Sequence, residues 1–370
     1  MKYYIIAGEA SGDLHGANLI KALQKEDPQA KFRVWGGDLM QNAGGTLVKH
    51  YKDLAFMGFL EVVMNLRTIF KNISFCKKDI TAFQPDVLIF IDYPGFNMRI
   101  AKWAKVNNFK THYYISPQIW AWKENRIHNI KRDVDKMYVI LPFEKDFYEV
   151  KHQMPVTFVG HPLIDAIAQR PKIEANALRT KYGLRNQPII ALLPGSRQQE
   201  IKKILAIMLS VVDAFPEYQF VIAGAPSQSK AFYSTFIKNK NIKFVSNETY
   251  DLLSIASAAL VTSGTATLET ALFKVPQVVC YKSSSLSYLI GKQVVKLKFI
   301  SLVNLIMDRE VVCELIQNDL NTKRLTTELK HILDPKNQQN IKSDYDALEQ
   351  KLGGPGASQN VAKAVFKALR

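Results

Sequence analysis

The 370-residue chain has only three cysteines, Cys76, Cys280 and Cys313, and no CxxC pair. That scarcity excludes a disulfide framework and a cysteine-rich zinc site, and it fits a reducing cytoplasm. There is no GxGxxG turn, which disfavours a nicotinamide dehydrogenase, and no Walker A loop. The seven histidines form no HExxH or HxH, and no DxD follows a strand candidate, so no metal and no cofactor is expected. RNP, helix-turn-helix and zinc-finger patterns are missing, so nucleic acid is not expected as a partner. No apolar run reaches the roughly 18 residues that span a bilayer, and the opening MKYYIIAGEA is too briefly apolar for a signal peptide. Eighteen glycines and 15 prolines are too few for a low-complexity chain. Acidic residues are also short: 33 Asp+Glu face 49 Lys+Arg, a net charge of +16. This favours anionic partners such as nucleotides or an acidic membrane surface without choosing among them.

What is present is a series of short apolar runs alternating with helical stretches. Lys2–Ala7, Phe32–Gly36, Asp86–Ile91, Thr111–Ile115, Met137–Leu141 and Thr157–Val159 are predicted strands, with a helix near Leu14–Lys25. The pattern restarts after Pro188 with Ile189–Leu193, Phe220–Ala223, Lys243–Val245, Ala259–Val261 and Val278–Tyr281. Strands apolar on both faces belong to parallel sheets covered by helices. At about 150 residues per domain the length suits two. The expected class is α/β, with two facing Rossmann-like, doubly wound domains. Their boundaries are residues 1–165 and 166–345, followed by a terminal helical segment 346–370.

Ligands on such sheets bind beyond the carboxyl ends of strands, and five turns stand there. In Gly8-Glu9-Ala10-Ser11-Gly12-Asp13, glycines admit a ligand to the backbone, while Glu9 and Asp13 suit sugar hydroxyls better than phosphate. A capped tight turn is the plainer reading. Asp92 closes the most apolar strand; partial burial there makes a better proton acceptor, and an N-cap before Pro94 is the alternative. Gln118, Trp120 and Trp122 form a polar-aromatic stretch that suits a sugar, a lipid or simple core packing. In Pro194-Gly195-Ser196-Arg197, Ser196 can cap the following helix and Arg197 can clamp phosphate oxygens. Ser263, Gly264 and Thr265 repeat that logic, with Glu269 one turn on to accept ribose hydroxyls. Leu54–Phe70, containing Phe56, Met57 and Phe59, reads as a core helix, an acyl-chain surface or a membrane contact, and Lys292–Ile300 is a second basic-apolar stretch.

The ordered set GEASGD, IDYPGFN, YISPQIWAW, LPFEKDFY, VGHPL, LLPGSR, SGTATLE and SLVNL resembles the lipid-A-disaccharide synthase family from about Lys2 to Gln317. The resemblance implies an inverting, metal-independent glycosyltransferase of GT-B architecture. Its donor would be UDP-2,3-diacylglucosamine and its acceptor 2,3-diacylglucosamine 1-phosphate. It would work as a peripheral protein on an anionic surface, the cytoplasmic face of the inner membrane; a homodimer stays open. Residue by residue, it implies Asp92 as base, Glu9 and Ser11 as catalytic or acceptor-side groups, Arg197 at the diphosphate, and Ser263, Gly264, Thr265 and Glu269 at the nucleotide. Asn304 becomes a further functional position on the donor side. Gly95 departs from the family pattern, standing where an acidic residue is common. A UDP-sugar epimerase or hydrolase on the same scaffold is the alternative.

Overall fold

The computed structural model describes residues 1–54, 66–171, 173–237, 242–284 and 297–370. Phe56, Met57 and Phe59 lie outside the described residues, as do most of Leu54–Phe70 and the start of Lys292–Ile300.

Contacts divide the chain into two compact units, Met1–Gln169 with Leu352–Arg370, and Arg170–Lys351. The first holds β1 (Lys2–Ala7), β2 (Lys31–Gly36), β3 (Gly45–His50), β4 (Val87–Ile91), β5 (Thr111–Tyr114), β6 (Lys136–Val139) and β7 (Thr157–Phe158). They form one sheet in the order β3-β2-β1-β4-β5-β6-β7, every pairing parallel. The second holds β8 (Ile189–Leu193), β9 (Gln219–Gly224), β10 (Ile242–Ser246), β11 (Ala256–Thr262), β12 (Gln277–Tyr281) and β13 (Glu314–Ile316). Its order, β10-β9-β8-β11-β12-β13, is again wholly parallel. Both follow the doubly wound 3-2-1-4-5-6 order. The α/β class with two parallel-sheet domains therefore holds.

Burial explains why the apolar runs are central. Every residue of β4 (VLIFI) and β8 (IIALL) is buried, as helices on both faces require. The strands missed in the sequence are β3 and β13: β3 is a half-exposed edge strand containing Lys49 and His50, and β13 has three residues. Three strands, β5, β6 and β7, end earlier than expected. Ile115 adopts φ +63° and leaves β5, and the amides of Ile140 and Leu141 donate to the Glu144 carboxylate instead of extending β6.

The terminal segment is not one body. Helix Pro335–Lys351 ends the second unit, whereas helix Ala357–Leu369 packs on helix Ala10–Glu26 of the first. Asp165 secures that return by accepting from the amides of Gly356 at 2.6 Å and Ser358 at 2.9 Å. Among the described residues, no helix is long and apolar enough to cross a membrane.

Candidate functional site

In each sheet the strand order reverses between its first and fourth strands, and crevices beyond that point are where such folds bind ligands. In the first unit the reversal lies between β1 and β4, paired as far as Ala7 and Ile91. The turns beyond them carry Glu9 and Asp92. In the second unit it lies between β8 and β11, paired as far as Leu193 and Val261. There the turns are Pro194–Arg197 and Ser263–Thr265.

Asp92 is held in a strained backbone. Its φ is +44° and that of Tyr93 is +50°, a region that costs a non-glycine residue about 1–3 kcal/mol. The Asp92 carbonyl is anchored by the Tyr113 hydroxyl at 2.6 Å and by Asn97 Nδ2 at 2.7 Å. Tyr93, not Asp92, is the N-cap of helix Pro94–Val106, so the Asp92 carboxylate is not spent on capping it. Burial and then the negative charge of Glu9 raise the Asp92 pKa to about 6, against a smaller opposing hydrogen bond from the Tyr93 backbone. A carboxyl so poised can take a proton near neutrality. Gly8 is required beneath it: a Cβ there would lie 2.3 Å from the Tyr93 ring.

The remaining first-unit positions separate. Glu9 is the N-cap residue of helix Ala10–Glu26, and Glu9 and Ser11 are exposed at the same end of the sheet as Asp92. Asp13 is buried, and its carboxylate accepts from the amides of Gly37, Leu39 and Met40 at 2.7, 3.2 and 3.0 Å. It joins the helix after β1 to the turn after β2. Gln118 is exposed, whereas Trp120 is half-buried and donates through Nε1 to Glu144 at 3.1 Å. Glu144 was not singled out in the sequence. It is buried and also accepts from Ser116 Oγ at 2.6 Å and from the Ile140 and Leu141 amides. Burial raises its pKa despite these four donors. Its position in LPFEKDFY was the available signal.

In the second unit, Gly195 has φ +102° and Gly264 φ +145°. Ser196, Arg197, Gly264 and Thr265 are exposed. Ser196 does not cap the following helix; Arg197 is the N-cap of Gln198–Leu209, without a side-chain bond. The Ser196 carbonyl instead accepts from Ser227 Oγ at 3.0 Å and Gln228 Nε2 at 3.1 Å. The group that reaches back to the turn is Glu200, also missed in the sequence. Its carboxylate takes hydrogen bonds from the Ser196 and Arg197 backbone, and a Cβ on Gly195 would meet its Oε2 at 2.3 Å. Burial raises the Glu200 pKa, opposed first by the Arg197 charge. A negative group thus already rests on amides suited to an anion.

Ser263 Oγ donates to the Ile300 carbonyl at 2.8 Å, and Gly264 caps helix Thr265–Leu272. Glu269 accepts from the Tyr250 hydroxyl at 2.8 Å, and burial raises its pKa. Asn304 is fully buried with every amide atom engaged: Oδ1 accepts from Val311 and Val312, and Nδ2 donates to the Val312 carbonyl and Glu314 Oε1. Glu314 in turn accepts from the Ile300 and Ser301 amides. Asn304 therefore shapes the segment that Ser263 touches.

Comparisons with known proteins bear on the family and the fold. The family model described as "Lipid-A-disaccharide synthetase" matches residues 3–367. The chain is 40% identical over 375 residues to the lipid-A-disaccharide synthase of Syntrophus aciditrophicus (strain SB), covering 99% of this chain and 97% of that protein. It is 38% identical over 373 residues to that of Geobacter metallireducens, covering 99% and 96%. Among solved structures, UDP-GlcNAc 2-epimerase from Neisseria meningitidis bound to UDP-GlcNAc shares the fold at TM-score 0.72 and 14% identity, covering 99% of this chain and all (100%) of that one. A glycosyltransferase from Rickettsia africae does so at TM-score 0.59 and 12% identity, covering 100% and 98%. With the match spanning nearly its whole length, the chain belongs to the lipid-A-disaccharide synthetase family.

Proposed function

We propose that this glycosyltransferase transfers 2,3-diacylglucosamine from UDP-2,3-diacylglucosamine to the 6-hydroxyl of 2,3-diacylglucosamine 1-phosphate. The products are a β-1,6-linked disaccharide 1-phosphate and UDP. The observation that carries the reading is the Asp92 carboxyl, lifted to about 6 at the switch point of the first sheet. Asp92 removes the proton from the attacking hydroxyl. Attack opposite the α-linked diphosphate inverts the anomeric carbon, so one base suffices and no covalent intermediate forms. Arg197 and the amides at the start of helix Gln198–Leu209 stabilise the charge gathering on departing UDP. The Ser263–Thr265 turn and Glu269 hold the nucleotide.

The same reading places the protein on the inner face of the inner membrane. Its support is the +16 charge and the helix Leu66–Phe83, on which Phe70 is 61% exposed beside Lys71.

Mass spectrometry of products from the diacylated donor and acceptor, with and without EDTA, tests the assignment. A disaccharide 1-phosphate formed only when both substrates are present is the expected result. Epimer or free sugar from donor alone overturns it.

A further inference from the structure

Two fully buried side chains from different elements converge on one backbone atom at the Asp92 turn. Tyr113 lies within β5, and Asn97 lies in the first turn of helix Pro94–Val106. Both donate to the Asp92 carbonyl, at 2.6 and 2.7 Å. Asn97 Nδ2 also lies 3.4 Å from the Ile6 carbonyl and 3.3 Å from that of Ile91, at the ends of β1 and β4. Its Oδ1, by contrast, has no hydrogen-bond partner among the described residues. A buried acceptor left unmet costs stability, so what Asn97 contributes here is its donor. That donor goes to the strand ends whose turns carry Glu9 and Asp92.

The amide of Asp92 is tied as well, donating to the Tyr114 carbonyl at 3.2 Å. Both backbone polar groups of Asp92 are thus fastened, three of the bonds coming from β5 and Asn97. A left-handed φ at two successive non-glycine residues, Asp92 and Tyr93, persists only where the surroundings over-determine it. Tyr113 and Asn97 are the side chains that bond the Asp92 backbone there. Neither is placed to shuttle a proton. The Tyr113 hydroxyl hydrogen is committed to a carbonyl, and burial holds its pKa well above the ordinary phenol value. Without the pair, Asp92 can relax toward the extended region and swing its carboxyl out of its buried place.

We infer that Tyr113 and Asn97 are positioning residues of the transfer reaction: together they hold the Asp92–Tyr93 turn left-handed, which keeps the Asp92 carboxyl buried within reach of the Glu9 charge. The inference rests on Asp92 as the base proposed above.

The test compares wild type with Tyr113→Phe, Asn97→Ala and the control Tyr138→Phe. Tyr138 lies on the next strand, β6, is also buried, and its hydroxyl meets His112 Nδ1 at 3.2 Å. The control therefore loses a buried hydroxyl of the same kind away from Asp92. In Tyr113→Phe, kcat should fall about 10–100-fold while both KM values stay within about twofold. The acid limb of kcat/KM should move down from about 6 toward the ordinary carboxyl range, because a relaxed Asp92 escapes burial and the Glu9 charge. The charged and titratable groups acting on Asp92, Tyr93 or Tyr113 from the neighbouring elements are Glu9, Arg99, Arg126 and Tyr148, and the variants alter none of them. A shifted limb thus reports the place of Asp92 itself. Tyr138→Phe should keep the wild-type kcat and limb while its thermal midpoint falls about as far as that of Tyr113→Phe. Wild-type kcat or an unmoved limb in Tyr113→Phe, or the same losses in Tyr138→Phe, overturns the inference. Asn97→Ala should show both changes, and a folded Asn97→Ala with wild-type kcat overturns the pair; if it does not fold, Tyr113→Phe decides. If wild type forms no disaccharide, or Asp92→Asn turns over normally, the reading beneath fails separately. Carboxyl ¹³C NMR of Asp92 then decides the turn alone: a titration midpoint below that of wild type in Tyr113→Phe supports the holding role, and an unchanged midpoint rejects it.

Discussion

Glu9 and Asp92 follow two neighbouring parallel strands, β1 and β4, and the Glu9 charge helps burial hold the Asp92 carboxyl up at about 6. Eighty-odd residues apart in sequence, the two carboxyl groups share one end of one sheet. A like charge beside a half-buried acid favours the protonated form, which is the state a base returns to after taking a proton.

The pH dependence follows with a definite sign. Asp92 must be ionised to act, so kcat/KM should rise with pH through about 6 and level off about one unit above. Glu9→Gln removes a charge that raises the Asp92 pKa, so its acid limb should move to lower pH. Asp92→Asn should lower kcat about 10²–10⁴-fold with the thermal midpoint little changed, since Asn tolerates the φ of +44°. A limb unmoved in Glu9→Gln, or near-normal turnover in Asp92→Asn, contradicts the assignment.

Gly8→Ala should damage turnover more than folding. The added methyl needs the space 2.3 Å from the Tyr93 ring, and Tyr93 is bonded to Asp92. Displacing a base by about 1 Å can cost about 10²-fold in rate. Parallel measurements of kcat and of the urea midpoint separate this from general destabilisation; equal, small losses in both would contradict it.

Glu200 rests on the amides where the donor's diphosphate is proposed to bind. Glu200→Gln removes that competing charge and should tighten UDP binding about fivefold or more in calorimetry. Weaker binding would mean instead that the carboxylate holds the turn in its binding shape. Arg197→Ala is the control, expected to weaken UDP binding about tenfold or more through lost charge-assisted bonds.

Glu144→Gln should destabilise the first unit by about 2–4 kcal/mol in urea unfolding, because its amide nitrogen would confront donors that the carboxylate now satisfies. The wild-type pKa is raised by burial, so stability present below the ordinary carboxyl pKa is lost as pH rises through the folded value. The variant should lack that pH dependence. Wild-type-like stability in Glu144→Gln would show that the four donors find other partners.

All the strand positions but β3 and β13, the two-domain α/β class and the turns carrying Asp92, Arg197 and Gly264 were legible in the sequence. Apolar runs of strand length followed by Gly, Ser or Asp record local burial and local backbone need. What each polar side chain spends itself on was not. Asp13 serves amides 24 to 27 residues away, and Tyr250 occupies one oxygen of Glu269. Glu144 and Glu200 sit in plain view within quoted motifs or beside them, yet their roles depend on which amides the fold leaves unpaired. Strand order, set by long-range pairing, decided that Glu9 lies beside Asp92 and that the last helix returns to the first unit. Composition and periodicity report how deeply a residue is buried; only tertiary packing chooses its partners, because hydrogen bonds and charge act over a few ångströms of space whatever the separation along the chain.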